Sequence, residues 1–139
     1  MLFLGFGKSK SYQLDAWEVP PTGRCSIEVR GESQYQDALV KVLGKKPKKN
    51  VRVAKQAALI PEPKNEHDSN AVMVYVEGRL VGYLASEEAK RYAGCFQYCH
   101  ENKRALACQA TIYGGGKEKP SLGVWIDLPT PAKLMKHLV

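Results

Sequence analysis

Short stretches of alternating apolar and polar residues, punctuated by glycine and proline, run through most of the chain. The clearest is Ala71 to Val76, where Val72, Val74 and Val76 alternate with Met73 and Tyr75, the period-2 signature of a half-buried strand. Glu77-Gly78 reads as a tight turn into a second strand, Arg79 to Leu84, so the pair forms a hairpin. Ahead of it lies a polar turn, Pro61 to Asn70, crowded with hydrogen-bonding side chains and carrying an acid-His-acid string at Glu66, His67 and Asp68. Such a turn is either a fixed scaffold or a binding site.

The same reading extends to both sides. Cys25 to Val29 is a strand with Cys25, Ile27 and Val29 on one face. Ser33 can cap a helix whose apolar stripe is Tyr35, Ala38, Leu39 and Val42, with Gly44 ending it. Val51 to Ile60 is a strand whose run Ala57 to Ile60 implies a bulge or burial on both faces. Ser86 opens a helix with Glu87 and Glu88 in its first turn and a stripe of Ala89, Tyr92, Ala93, Phe96 and Cys99, ending near Asn102. Ala105 to Tyr113 and Leu122 to Leu128 are strands joined by the glycine-rich loop from Gly114. The tail from Ala132 to Val139 suits one or two helical turns.

Short strands at hairpin-like spacing with two inserted helices predict a mainly β domain, a small six-stranded, partly open barrel. Residues 1–21 read as an N-terminal appendage, 22–130 as the domain and 131–139 as a C-terminal tail. Met1 to Phe6 suits an added edge strand or a surface contact. Gly7-Lys8-Ser9 is not a phosphate-binding loop, because the glycine required five positions earlier is Leu2.

Charge sharpens the picture. The 139 residues carry 21 Lys and Arg against 14 acids, a net charge of +7. That excess favours polyanionic partners, nucleic acid before an anionic membrane surface. It is concentrated in the loop holding Lys45, Lys46, Lys48 and Lys49, where Pro47 keeps the backbone out of helix and strand. The run is either a solvated loop or an arm that tracks phosphates. No apolar run approaches the ~18 residues of a membrane span. The four cysteines follow no secretory signal, so free thiols and a reducing, cytoplasmic compartment are expected.

Three kinds of chemistry compete. Cys95, Cys99 and Cys108 are weak metal candidates, because no C-x-x-C pair is present and Cys99 falls on an apolar stripe. Neighbouring Ser69, His67 and Asp68 do not make a triad, since adjacent residues rarely face one another. Nucleic-acid binding matches the parts better: a basic loop with Tyr35, Tyr75, Tyr83 and Tyr113 near strand or loop ends, each also readable as an ordinary surface tyrosine.

Taken in order, Arg30-Gly31-Glu32-Ser33-Gln34-Tyr35-Gln36-Asp37-Ala38-Leu39, the turn from Pro61 to Val72, Gly82-Tyr83-Leu84, Tyr113-Gly114-Gly115 and Gly123 to Leu128 resemble the HIRAN domain family, in its bacterial or phage form. The resemblance implies an OB-like or SH3-like barrel with packed helices and no cofactor. It also implies a module that grips the 3′ end of single-stranded DNA in repair, replication or processing, alone or beside other DNA-processing proteins, in the cytoplasm of a bacterial or phage-infected cell. By position it implies that Asp68 accepts from the terminal 3′-hydroxyl, that His67 and Tyr113 pack the last sugar and base, and that Tyr83 contacts a base or phosphate. Ser33 and Gln34 stand where eukaryotic members carry a basic-aromatic pair, and His67 where a tyrosine is usual. The alternatives are a protein-interaction or regulatory domain that kept the fold without DNA binding, and a metal-dependent hydrolase.

Overall fold

The computed structural model describes residues 2–6 and 12–139, with side chains from residue 15 onward. The segment Gly7 to Ser9 lies outside the described residues. In chain order the strands are β1 (Leu2–Phe6), β2 (Tyr12–Glu18), β3 (Ile27–Arg30), β4 (Val51–Pro61), β5 (Val72–Val76), β6 (Arg79–Leu84), β7 (Ala105–Gly114) and β8 (Leu122–Ile126). The helices are α1 (Gln36–Leu43), α2 (Ser86–Arg91), α3 (Ala93–Glu101) and α4 (Pro131–Leu138).

Six strands form the mainly β barrel, in the order β7-β4-β5-β6-β3-β8, and β8 returns to pair with β7. The barrel is therefore closed where the sequence suggested a partly open one. All six pairings around it are antiparallel. Closure removes the exposed edges that an open sheet leaves unpaired. Val29, Val72, Val74, Val76, Ile112, Val124 and Ile126 point inward and are almost fully buried. Each such side chain contributes about 1.5–3 kcal/mol relative to an exposed position.

The central hairpin follows its pattern. Glu77 (φ 50°) and Gly78 (φ 76°) both adopt positive φ, the requirement of a type I′ turn, and Lys55 pairs with Glu77 at 2.6 Å across the neighbouring strand. The irregularity suspected in β4 lies instead in β6, where Tyr75 pairs with Leu80 and Val74 with Gly82, leaving Val81 as the extra residue. β4 runs without a break in register, and Ala57 to Leu59 are buried on both faces. Gly82 holds β3 close: a Cβ there would meet Val29 Cγ1 at 2.5 Å and the Arg30 carbonyl oxygen at 2.6 Å, at a φ of 154°.

Several local expectations change. The first barrel strand starts at Ile27 rather than Cys25. Ser33 caps nothing: Glu32–Gln34 form one 3-10 turn after Gly31, and α1 starts at Gln36 without a side-chain cap. Gln36 pins that start, its amide nitrogen donating to the Leu122 carbonyl and its oxygen accepting from Leu122 N–H. Ser86 is the first residue of α2 rather than its cap. The expected long helix breaks at Tyr92, whose φ and ψ of −96° and 9° leave the helical well while its buried hydroxyl donates to the Pro129 carbonyl at 2.6 Å.

The N-terminal segment adds two strands. β1 pairs antiparallel with β2, and β2 runs parallel to the first part of β7, on the edge that β8 uses farther along. Trp17 stacks on Tyr98 of α3 with ring centroids 5.7 Å apart, and Arg104 lies over Trp17 while pairing with Asp15 at 3.1 Å. Asp127 is only 2% exposed, and its carboxylate accepts from Thr22 N–H at 2.8 Å, Gly23 N–H at 3.0 Å and the Thr22 hydroxyl.

Candidate nucleic-acid interface

The polar turn before the hairpin is built on Asn65. Its Oδ1 accepts from the backbone N–H groups of His67 at 2.9 Å and Asp68 at 3.0 Å, which folds the chain back on itself. Asp68 continues the device: its Oδ1 accepts from Asn70 N–H at 2.9 Å, and its carbonyl accepts from Ala71 N–H. His67 is carried outward and exposed, while Asp68 is half-buried. The Asn70 side chain is exposed, so in this turn the locking side chain is Asn65.

Glu62 ties the turn to the barrel. Its Oε1 accepts from Asn65 Nδ2 at 2.5 Å and from the Tyr83 hydroxyl of β6 at 3.3 Å. Burial pushes the Tyr83 phenol up to about 12, with the Glu62 carboxylate and the nearby Tyr35 and Tyr75 adding to the cost of its ionisation. Tyr83 is therefore a neutral donor at ordinary pH. It points outward, level with Met73 of β5 on one side and Arg30 of β3 on the other. The structure thus brings Tyr35, Tyr83 and the His67–Asp68 turn to one part of the surface.

Tyr113 lies elsewhere on the outer wall, on β7. It is level with Arg52 of β4 and Gly123 of β8, and its ring packs over Gly123: a Cβ there would come within 2.6 Å of the phenol. Trp125 stands beside it, 6.1 Å between centroids, and Lys119 places its ammonium 5.0 Å from the Tyr113 ring centroid. Lys45, Lys46, Lys48 and Lys49 are all exposed on this side, around a cleft of about 470 Å³ floored by Leu43, Val51 and Val53. Asn50 anchors their loop, its Oδ1 accepting from Gly116 N–H at 2.9 Å. From Tyr83 to Tyr113 the path crosses β3 and β8, three strand spacings or roughly 14 Å. The 3-10 turn bearing exposed Ser33 and Gln34 touches both β6 and β8 and so lies between the two groups.

Glu62, Arg30, Trp125 and Lys119 are the surface members that sequence reasoning missed, whereas Arg52 belongs to the basic run read from the sequence. Glu62 had a local signal, its place three residues before Asn65 in the polar turn. Arg30 and Trp125 join through strand register, and Lys119 through the loop that lays it over the Tyr113 ring. Cys95 and Cys99 of α3 and Cys108 of β7 are buried in the hydrophobic core, and burial pushes all three thiols up. Among the described residues no three His, Cys, Asp or Glu side chains gather as a metal site.

The class defined by this architecture is a small closed β-barrel of the OB-like or SH3-like kind with helices packed against it. The chain belongs to the HIRAN domain family, whose model matches residues 22–120. HIRAN domains are DNA-binding modules, which supports nucleic-acid binding as the general activity here. Neither the curated proteins nor the solved structures searched gave a match.

Proposed function

We propose that this domain binds single-stranded DNA and holds its 3′-hydroxyl end, as a non-enzymatic module in DNA repair, replication or processing. The observation that carries the reading is the shared Glu62 carboxylate, which fastens the Asn65 turn to Tyr83 and so fixes Asp68 and His67 relative to the outer wall. Asp68 uses Oδ1 within the turn, and Oδ2 is the oxygen offered to a ligand. A carboxylate accepts from a terminal hydroxyl and repels a phosphate at the same place, which selects an end over an interior nucleotide. His67 packs the terminal sugar, Tyr83 donates to the backbone or a base, and Tyr113 stacks a base farther along. Ser33, Gln34 and Tyr35 line the path between, and Lys45, Lys46, Lys48 and Lys49 hold phosphates.

The working unit is residues 22–130, with 1–21 appended and 131–139 as a tail. The Asp127 bonds to Thr22 and Gly23 support it by joining the two ends of that span. Four free cysteines fit a reducing, cytoplasmic setting, and other DNA-processing proteins are the partners in this reading.

A salt titration of binding to a 3′-fluorescein-free, 5′-labelled oligonucleotide tests the reading. Affinity in the micromolar range or tighter, falling steeply with salt, is expected; absence of binding at low salt overturns it.

A further inference from the structure

Arg30 and Glu28 alternate on the outer face of β3, and each has a defined neighbour: Arg30 is level with Tyr83, and Glu28 with Trp125 of β8. Arg30 is exposed and forms no ion pair among the described residues, unlike Arg91, which is paired with Glu88. Arg30, Glu28 and the half-buried Trp125 line one groove of about 330 Å³, closed on its far side by Ala85 and Glu87 of the α2 start and by the Glu88–Arg91 ion pair.

We infer that this groove is a second-nucleotide subsite that reads the base of the residue next to the DNA end; it rests on the single-strand reading above. The indole face supplies the stacking surface that any base accepts. Arg30, level with Tyr83 and lining the groove with Trp125, takes the phosphate linking this nucleotide to the terminal one. Glu28 lies beside the indole rather than beside Tyr83, so its carboxylate meets the edge of the base. A carboxylate accepts from an exocyclic amino group, as on cytosine N4, whereas thymine offers only N3–H, flanked by two carbonyl oxygens that the carboxylate repels. The Glu28 and Glu87 carboxylates repel a phosphate, which fixes which way round the nucleotide enters. The subsite therefore prefers cytosine over thymine.

Binding of 5′-labelled oligo-dC and oligo-dT six-mers to the full chain, each across a salt series, tests this. Wild-type protein is expected to favour oligo-dC severalfold, and Glu28→Gln to bring the two together. Arg30→Gln, a surface change that leaves the core untouched, should flatten the salt slope by about 0.7, the share of one phosphate on a single strand. Trp125→Phe should weaken binding while Trp125→Leu weakens it more, up to the range of about 5- to 150-fold for a lost base stack. An unchanged slope in Arg30→Gln, or equal affinity of wild-type protein for oligo-dC and oligo-dT, overturns the subsite while leaving DNA binding intact. No binding of either oligonucleotide by wild-type protein overturns the single-strand reading itself.

Discussion

The Tyr83 hydroxyl donates to Glu62 Oε1 at 3.3 Å, and through that oxygen Tyr83 is coupled to Asn65, which donates to it at 2.5 Å. One carboxylate thus joins a barrel strand to the turn that displays His67 and Asp68. The phenol is pushed up to about 12, first by burial and then by Glu62. Below pH 10 Tyr83 is neutral in the folded and unfolded chain alike, and its contribution to stability is complete. As pH rises from 10 towards 12 the unfolded phenol ionises first, so that contribution is lost across this window. Absorbance titration at 295 nm should show Tyr83 titrating near 12, above the ordinary tyrosines, and Tyr83→Phe should remove that component at a cost of about 1 kcal/mol in stability.

The two asparagines of the turn should behave differently. Asn65→Ala removes the acceptor of two backbone N–H groups and one donor to Glu62, and is expected to cost about 1–3 kcal/mol. Asn70→Ala truncates an exposed side chain and is expected to change stability by less than about 0.5 kcal/mol. Urea denaturation of both variants checks the contrast.

Asp127 is the buried carboxylate on which the start of the barrel domain is fastened. Asp127→Ala strands the Thr22 and Gly23 donors and should cost about 3 kcal/mol or more. Asp127→Asn keeps a single carbonyl acceptor in place and is expected to recover part of that loss in thermal unfolding.

Thiol reactivity tests the core assignment of the cysteines. Burial pushes the Cys99 thiol up to about 12, with Cys95 adding, and raises Cys95 and Cys108 as well. At pH 8 only half-buried Cys25 should react quickly with Ellman's reagent, and Cys95, Cys99 and Cys108 should follow only on unfolding.

Val72 to Leu84 was legible because both its signals are local: strict alternation, then two residues able to take positive φ. The stripe of Ala89, Tyr92, Ala93, Phe96 and Cys99 was legible for the same reason, and all but the half-buried Ala93 are buried. The break at Tyr92 was not, because it answers a hydrogen bond to Pro129, thirty-seven residues away. The parallel pairing of Ala16 to Glu18 with Ala105 to Ala107 was hidden likewise. For the proposed site, the turn from Asn65 to Asp68 could be read as a unit because its bonds span three residues or fewer. Arg30 and Trp125 could not, since only the β3–β8 register makes them neighbours.

The central claim is capture of a DNA end by the turn that Asn65 and Glu62 hold. The most direct measurement compares two 5′-labelled single-stranded oligonucleotides of one sequence, ending in a 3′-hydroxyl or a 3′-phosphate, by fluorescence anisotropy at fixed salt. Wild-type protein should bind the hydroxyl end at least tenfold more tightly, and Asp68→Ala should abolish the difference. Equal affinity of the wild-type protein for the two ends would contradict end capture.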